Sequence, residues 1–182
     1  MSTVKFKWTE RNISHSLARD FFGNQNIVLV PNCNWTGHEC DLLVVTQDLR
    51  IIDVEVKISK DDFKNDILKE KWWESHFMNE NTGRYQRHKV PVKRTHPIKV
   101  WKHYYAMPKE IWKPEFQEFL PSQNCGVILL STRGNRIIAE LHKRAIPNRK
   151  ADMISEHDAI NIARLANLRM WNAYETIDKL KN

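Results

Sequence analysis

One run constrains the fold more than any other: "IIDVEVKI", Ile51 to Ile58. Ile52, Val54, Val56 and Ile58 alternate with Asp53, Glu55 and Lys57, and a period of two is the period of a β-strand. The β-branched residues demand a core on one side. The other side carries three ionisable groups in a row. A strand facing solvent shows such alternation and nothing more.

The preceding segment, "CDLLVVT", reads as a second strand, Asp41 to Thr46, joined to the first by a turn at Gln47-Asp48-Leu49. With three residues in the turn, Thr46 faces Arg50 and Asp41 falls opposite Glu55. Opposed residues of an antiparallel pair hold their Cβ atoms roughly 4.5–5.5 Å apart. Two carboxylates so placed repel, and burial sharpens the conflict, so the pair calls for a cation or a raised pKa. A hard divalent ion such as Mg²⁺ (or Mn²⁺), held by one or two carboxylates and water, meets the need. Lys57, two residues beyond Glu55, points to the same face and would orient a water or stabilise charge on a phosphate. Asp, Glu and Lys converging in this way suit phosphodiester hydrolysis.

A single mixed α/β domain is expected over residues 1–182, with a core over about 8–147 and a C-terminal helix over about 155–180. The first helix spans Thr9 to Phe22 with Ile13, Leu17 and Phe21 as its stripe. Glu10 shares that side; an acid there is either a site residue or a first-turn group favoured by the helix dipole. A strand over Ile27–Val30, closed by Pro31, precedes "PNCNWTGHEC". Ser59 with Asp62 opens a helix expected to run from Lys60 to Met78, with Leu68 and Trp72 off its stripe. A strand near His103–Met107, a short helical piece after Pro108 and a hairpin turning at Arg133-Gly134-Asn135 follow. The last helix, from Ser155, sets Ile162, Ala163, Ala166, Met170, Ala173, Tyr174 and Ile177 towards one face. That face packs on the core or forms a homodimer seam widened by Leu165 and Trp171.

Lys and Arg outnumber Asp and Glu by 29 to 22, a formal charge of +7, which favours a polyanionic partner. The excess is concentrated. Arg84, Arg87, Lys89, Lys93, Arg94, Lys99 and Lys102 occur in one stretch without an acid, and Pro91 and Pro97 keep it from being a regular helix. These groups suit phosphates, with Tyr85, Trp101 or Tyr104 available to stack on bases; a solvated loop is the plainer alternative. Contacts to backbone rather than base edges are expected. His76, His88, His96 and His103 read as surface or DNA-proximal groups. No apolar run is long enough to span a membrane and the N-terminus lacks the apolar core of a signal peptide. Three irregularly spaced cysteines make no disulfide framework, so a reducing cytoplasm is expected. Cys33, His38 and Cys40 lack the paired spacing of structural zinc sites.

In series, "CDLLVV", "DVEVKIS" and "KDDFKND" make an Asp…Glu-x-Lys pattern that resembles the PD-(D/E)xK nuclease superfamily, towards its small MmcB-like DNA-repair and phage nuclease proteins. "HYYAMP" and "CGVILLSTRGNRI" resemble the later aromatic strand and closing hairpin, so the similarity covers roughly residues 38 to 147. It implies a three-layer α/β/α restriction-endonuclease-like core with a mixed sheet. Asp41 and Glu55 would be metal ligands, Glu10 a further carboxylate from the first helix, and Lys57 the group assisting the attacking water. Cys40 stands where the motif's proline would be, and the C-terminal helix has no assigned counterpart. The expected activity is metal-dependent hydrolysis of DNA. The alternatives are a DNA-binding or regulatory protein on the same fold, and a basic module for an acidic protein partner.

Overall fold

The computed structural model describes residues 6–79, 81–134 and 136–181, without the side chain of Asn24. Asn135, expected at a hairpin turn, and residues 1–5 lie outside them.

Helix α1, Glu10–Ser16, begins at a reciprocal cap. Asn12 N–H donates to Thr9 Oγ1 and Thr9 N–H donates to Asn12 Oδ1, both at 3.1 Å, which satisfies donors that a helix start leaves free. The helix continues in a wider π-helical turn over Leu17–Phe21. Strand β1, Asn26–Cys33, runs through Pro31 instead of ending there. It lies at the edge of the sheet, where a missing backbone N–H is tolerated. Strands β2, Cys40–Thr46, and β3, Ile51–Val56, pair antiparallel in the register the turn dictates, Leu42 opposite Val54 and Val45 opposite Ile51. Thr46 N–H closes the turn on Arg50 O at 3.0 Å.

The expected helix from Lys60 to Met78 is not one element. Helix α2 covers Lys60–Asn65, two 3-10 turns cover Asp66–Leu68 and Glu70–Trp72, and strand β4 covers Trp73–Asn79. Lys69 between the turns is extended, with φ −65° and ψ 140°. Lys71 and Trp72 both enter the protein interior, off the stripe a continuous helix would have buried. β4 pairs antiparallel with β5, Arg84–Lys93, in a two-stranded ribbon separate from the main sheet. Proline therefore excludes a helix from this basic stretch, as expected, but leaves it a strand.

Strands β6, Lys102–Pro108, β7, Gly126–Arg133, and β8, Arg136–Lys143, complete a six-stranded mixed sheet of order β1-β2-β3-β6-β7-β8. β3–β6 and β6–β7 are parallel; the other pairs are antiparallel. One face packs Leu42, Val44, Val54, Val56 and Ile128 under Ile13, Leu17 and Phe22. The opposite face carries two clusters. Leu43, Val45 and Ile51 meet Ile154, Ala159 and Ile162, and farther along Tyr105, Met107 and Val127 meet Phe63, Trp72 and Phe116. Between them lies the charged row of β3.

Helix α3, Glu156–Lys181, is capped by Ser155, whose Oγ accepts from Asp158 N–H at 3.1 Å. Ala159 and Ile162 are buried and Ala163 and Ala166 partly so. Beyond them the expected core face leaves the domain, and Met170, Trp171, Tyr174 and Ile177 are exposed. Among the described residues no helix is long and apolar enough to cross a membrane.

Gly126 offers a test of how tightly β6 and β7 pack. A Cβ there would lie 2.3 Å from the Tyr104 ring and 2.7 Å from Ala145 N. Gly126→Ala is expected to lower unfolding free energy by about 3 kcal/mol, the upper range for overpacking, measured by urea denaturation.

Candidate active site

Asp53, Glu55 and Lys57 are 0%, 2% and 1% exposed, so β3 does not face solvent with its charged side. Partners arrive from the segment that follows it. Lys57 Nζ lies 3.0 Å from Glu55 Oε1, 2.9 Å from Asp66 Oδ1 and 3.3 Å from Asp62 Oδ1. Lys71 Nζ lies 2.6 Å from Glu55 Oε2 and 3.9 Å from Asp53 Oδ2. Lys69, half-exposed, contacts Glu55 Oε1 and sits 3.0 Å from Asp66 Oδ1. Asp66 also accepts from Tyr105 Oη–H and, at 3.1 Å, from Trp72 Nε1–H. Asp53 Oδ2 meets His103 Nδ1 at 2.9 Å and His38 Nε2 at 3.1 Å.

Three buried carboxylates, with the partly exposed Asp62 at their margin, thus face three ammonium groups. Burial alone would push the acids up, but Lys71 and His103 hold Asp53 well below the usual carboxylate range, and Lys71 and Lys57 lower Glu55 and Asp66. Burial disfavours charge on Lys57 and Lys71, yet these acids raise both ammonium groups, which stay protonated at neutral pH.

Asp41 is different. The β2–β3 register sets it across from Glu55, and its Oδ2 accepts from Val56 N–H at 2.7 Å, at the end of β3. Burial and then the Glu55 charge raise its carboxyl to about 7; Val56 N–H and Lys57 oppose the shift, and Glu10 adds to it. Glu10 itself is an exposed first-turn residue of α1 whose charge is felt at Asp41. Asp41 and Glu55, from β2 and β3, and Lys57 just past β3 therefore share one neighbourhood; Glu10 forms no close group of ligand atoms with Asp41 and Glu55 among the described residues.

By donor type, Asp41 and Glu55 are the residues that could hold a hard divalent ion. An all-oxygen carboxylate pair suits Mg²⁺ or Mn²⁺; the Asp41 carboxyl is raised by burial first and by the Glu55 charge second. Both Glu55 oxygens already carry ammonium groups, Lys57 and Lys69 on Oε1 and Lys71 on Oε2, so a cation there would have to compete with them.

The basic residues are dispersed more than the sequence suggests. Arg84, Arg87, Lys89 and Lys93 are exposed along β5 beside Tyr85. Arg94 turns back to the root of the ribbon, donating through Nη1 to Trp73 O at 2.5 Å. Lys99 lies over Trp35 at 4.6 Å and Lys102 over Trp101 at 4.0 Å. His96 and His103 are buried, contrary to the surface role expected of them, because His96 meets Ile146 O at 2.8 Å and His103 meets Asp53. A groove lined by His38, Lys71, Trp73, His76 and Arg94 runs from the ribbon's root to the charged cluster.

Sequence reasoning does not find Asp66, Lys69, Lys71 or His103. Leu68 and Trp72 off the helical stripe are the available signal that the helix stops early. His103 has none, since it reaches Asp53 through the parallel β3–β6 pairing, directly opposite it in register.

No family model matches the chain, and no curated protein does. A solved structure does resemble it: the "SPO1766 protein of unknown function from Silicibacter pomeroyi", 13% identical, with a TM-score of 0.55. The match covers 97% of this chain and 95% of that one. The likeness is one of fold: a mixed α/β protein with a six-stranded mixed sheet and a long C-terminal helix.

Asp41 sets a pH dependence of stability. Its native pKa, about 7, lies above its unfolded value near 3.8. The native state therefore binds the extra proton between these values, and stability falls as pH rises through that window. Asp41→Asn is expected to stabilise the protein by on the order of 3 kcal/mol at pH 8 and very little at pH 4, read from melting curves. Mg²⁺ should narrow the difference at pH 8.

Proposed function

We propose that this chain is a metal-dependent deoxyribonuclease of the PD-(D/E)xK type, built on a three-layer restriction-endonuclease-like core. The observation that supports it best is the raised Asp41 carboxyl set across from Glu55, with Lys57 anchored on Glu55. Perturbed acids gather at functional sites, and a cation held by Asp41 and Glu55 would relieve both the burial and the repulsion that raise Asp41.

Asp41 and Glu55 would hold Mg²⁺ or Mn²⁺, with Glu10 contributing from α1. The ion would supply charge neutralisation at the phosphate and a more acidic water. Lys57 stays an ammonium, so it is no general base. It orients the attacking water and stabilises charge growing on the phosphate oxygens. Asp66, fixed by Tyr105 and Trp72, keeps Lys57 aimed. Lys69 is the ammonium whose exposure lets it withdraw from Glu55. DNA would lie along β5 on Arg84, Arg87, Lys89 and Lys93, with Lys99 and Lys102 as outlying contacts and Arg94 at the ribbon's root.

A second reading has its own support. Glu55 already carries three ammonium groups, which suits a DNA-binding protein on the same fold that does not cut.

Cleavage of plasmid and single-stranded DNA with Mg²⁺ or Mn²⁺ separates the two. Wild type is expected to cut only with metal, and Lys57→Ala to lose about 10²-fold or more while DNA binding persists. Binding without cleavage under either metal establishes the second reading; undiminished cleavage by both Lys57→Ala and Glu55→Ala removes the site assignment. Replacing Arg84, Arg87, Lys89 and Lys93 by Ala should weaken binding and reduce the slope of log K against log salt by about 0.9 for each phosphate no longer neutralised.

A further inference from the structure

A second set of donors lies beside the carboxylate–lysine cluster. His38 and Cys40, from the β1–β2 connection and the start of β2, meet Asp53 of β3. A ring nitrogen, a thiol sulfur and a carboxylate oxygen lie within 4.8 Å of one another. His38 Nε2 is 3.1 Å from Asp53 Oδ2 and 3.9 Å from Cys40 Sγ. Bonds of about 2.0–2.3 Å to a tetrahedral ion place its ligand atoms roughly 3.3–3.6 Å apart, so an ion fits between these three with small side-chain adjustments.

The surroundings point the same way. Asp53 is fully buried and its Oδ1 has no hydrogen-bond partner among the described residues. Buried polar atoms are rarely left so, and each calls for an explanation such as an ion. His103 Nδ1 holds Asp53 Oδ2 at 2.9 Å, the outer support that metal-binding carboxylates receive. Thr36 Oγ1 lies 3.0 Å from His38 O and 3.4 Å from Cys40 Sγ, which fixes the loop that carries both donors. His38 opens onto the groove that reaches the ribbon's root, which gives an ion a way in.

We propose that His38, Cys40 and Asp53 form a site for a borderline transition-metal ion, Zn²⁺ by chemical class, distinct from the hard-ion site at Asp41 and Glu55. Nitrogen, sulfur and oxygen donors together select such an ion over Mg²⁺. One carboxylate and one thiolate balance its charge. Three protein ligands leave a position open towards the groove. The ion ties the β1–β2 connection to the central strand, and this assignment does not depend on the nuclease reading. Spacing along the chain barely signals it, because Asp53 joins Cys40 and His38 only through the pairing of β2 with β3, and Cys33 takes no part in the cluster.

Titration of the reduced, metal-free full chain with Co²⁺ tests the proposal. The expected result is one equivalent bound, with a thiolate-to-cobalt charge-transfer band that Zn²⁺ displaces and excess Mg²⁺ does not. Cys40→Ser and His38→Ala should each abolish the band, while Cys125→Ser and Asp41→Asn retain it. His103→Gln should weaken binding about 10–100-fold. His38 is partly exposed, so its variant should keep the fold, checked by circular dichroism without metal. A wild-type protein without the band, a band that survives Cys40→Ser, or equal Co²⁺ affinity in wild type and His38→Ala overturns the proposal.

Discussion

The packing around β3 is organised by the need to neutralise Glu55. A carboxylate on a central strand, covered on both faces, is costly unless cations reach it. Lys57 can reach from just past the same strand, but Lys71 and Lys69 come from beyond α2. For both to point inward, the chain after Asn65 cannot remain one regular helix, in which residues two apart face different directions. It breaks into short 3-10 turns with Lys69 extended, and Asp66 and Trp72 close over the ion pairs. The charge requirement of one strand thus sets where α2 ends and where the ribbon begins.

The acids along β2 and β3 illustrate the difference between structural and functional charge. Asp53 of β3 and Asp66 beyond α2 are held low by adjacent ammonium or imidazole groups, and Glu55 by ammonium groups that a metal there would have to displace. Asp41, at the strand end, is raised by burial first and by the Glu55 charge second, against a backbone N–H and Lys57. A buried carboxyl beside a second acid at the margin of such a network is one that a cation would relieve. That asymmetry, rather than the Glu-x-Lys spacing alone, is what gives the catalytic proposal its physical content.

Much of this frame is legible in the sequence because it is local. A three-residue turn and period-two alternation set the β2–β3 register, and hence the juxtaposition of Asp41 and Glu55. Thr9, Ser59 and Ser155 mark helix starts by their own side-chain chemistry. What stays hidden depends on distant pairing. The parallel contact of β3 with β6 brings His103 to Asp53, though 50 residues separate them. Over Lys60–Met78, Phe63 and Ile67 satisfy a helical period that the interior then overrides at Lys69. The apolar stripe of α3 is plain from its period, but periodicity does not show where the domain beneath it ends.

The ribbon links the basic surface to the buried site. A two-stranded ribbon is marginal by itself, and this one is held at its root. Arg94 N–H donates to Trp72 O at 2.8 Å, and Trp73 Nε1–H donates to Ile67 O at 2.9 Å. Trp72 is the residue that also clamps Asp66, and Lys71 immediately before it neutralises Glu55. The orientation of the cationic strand and the arrangement of charges around Glu55 are therefore both set by Lys71, Trp72 and Trp73.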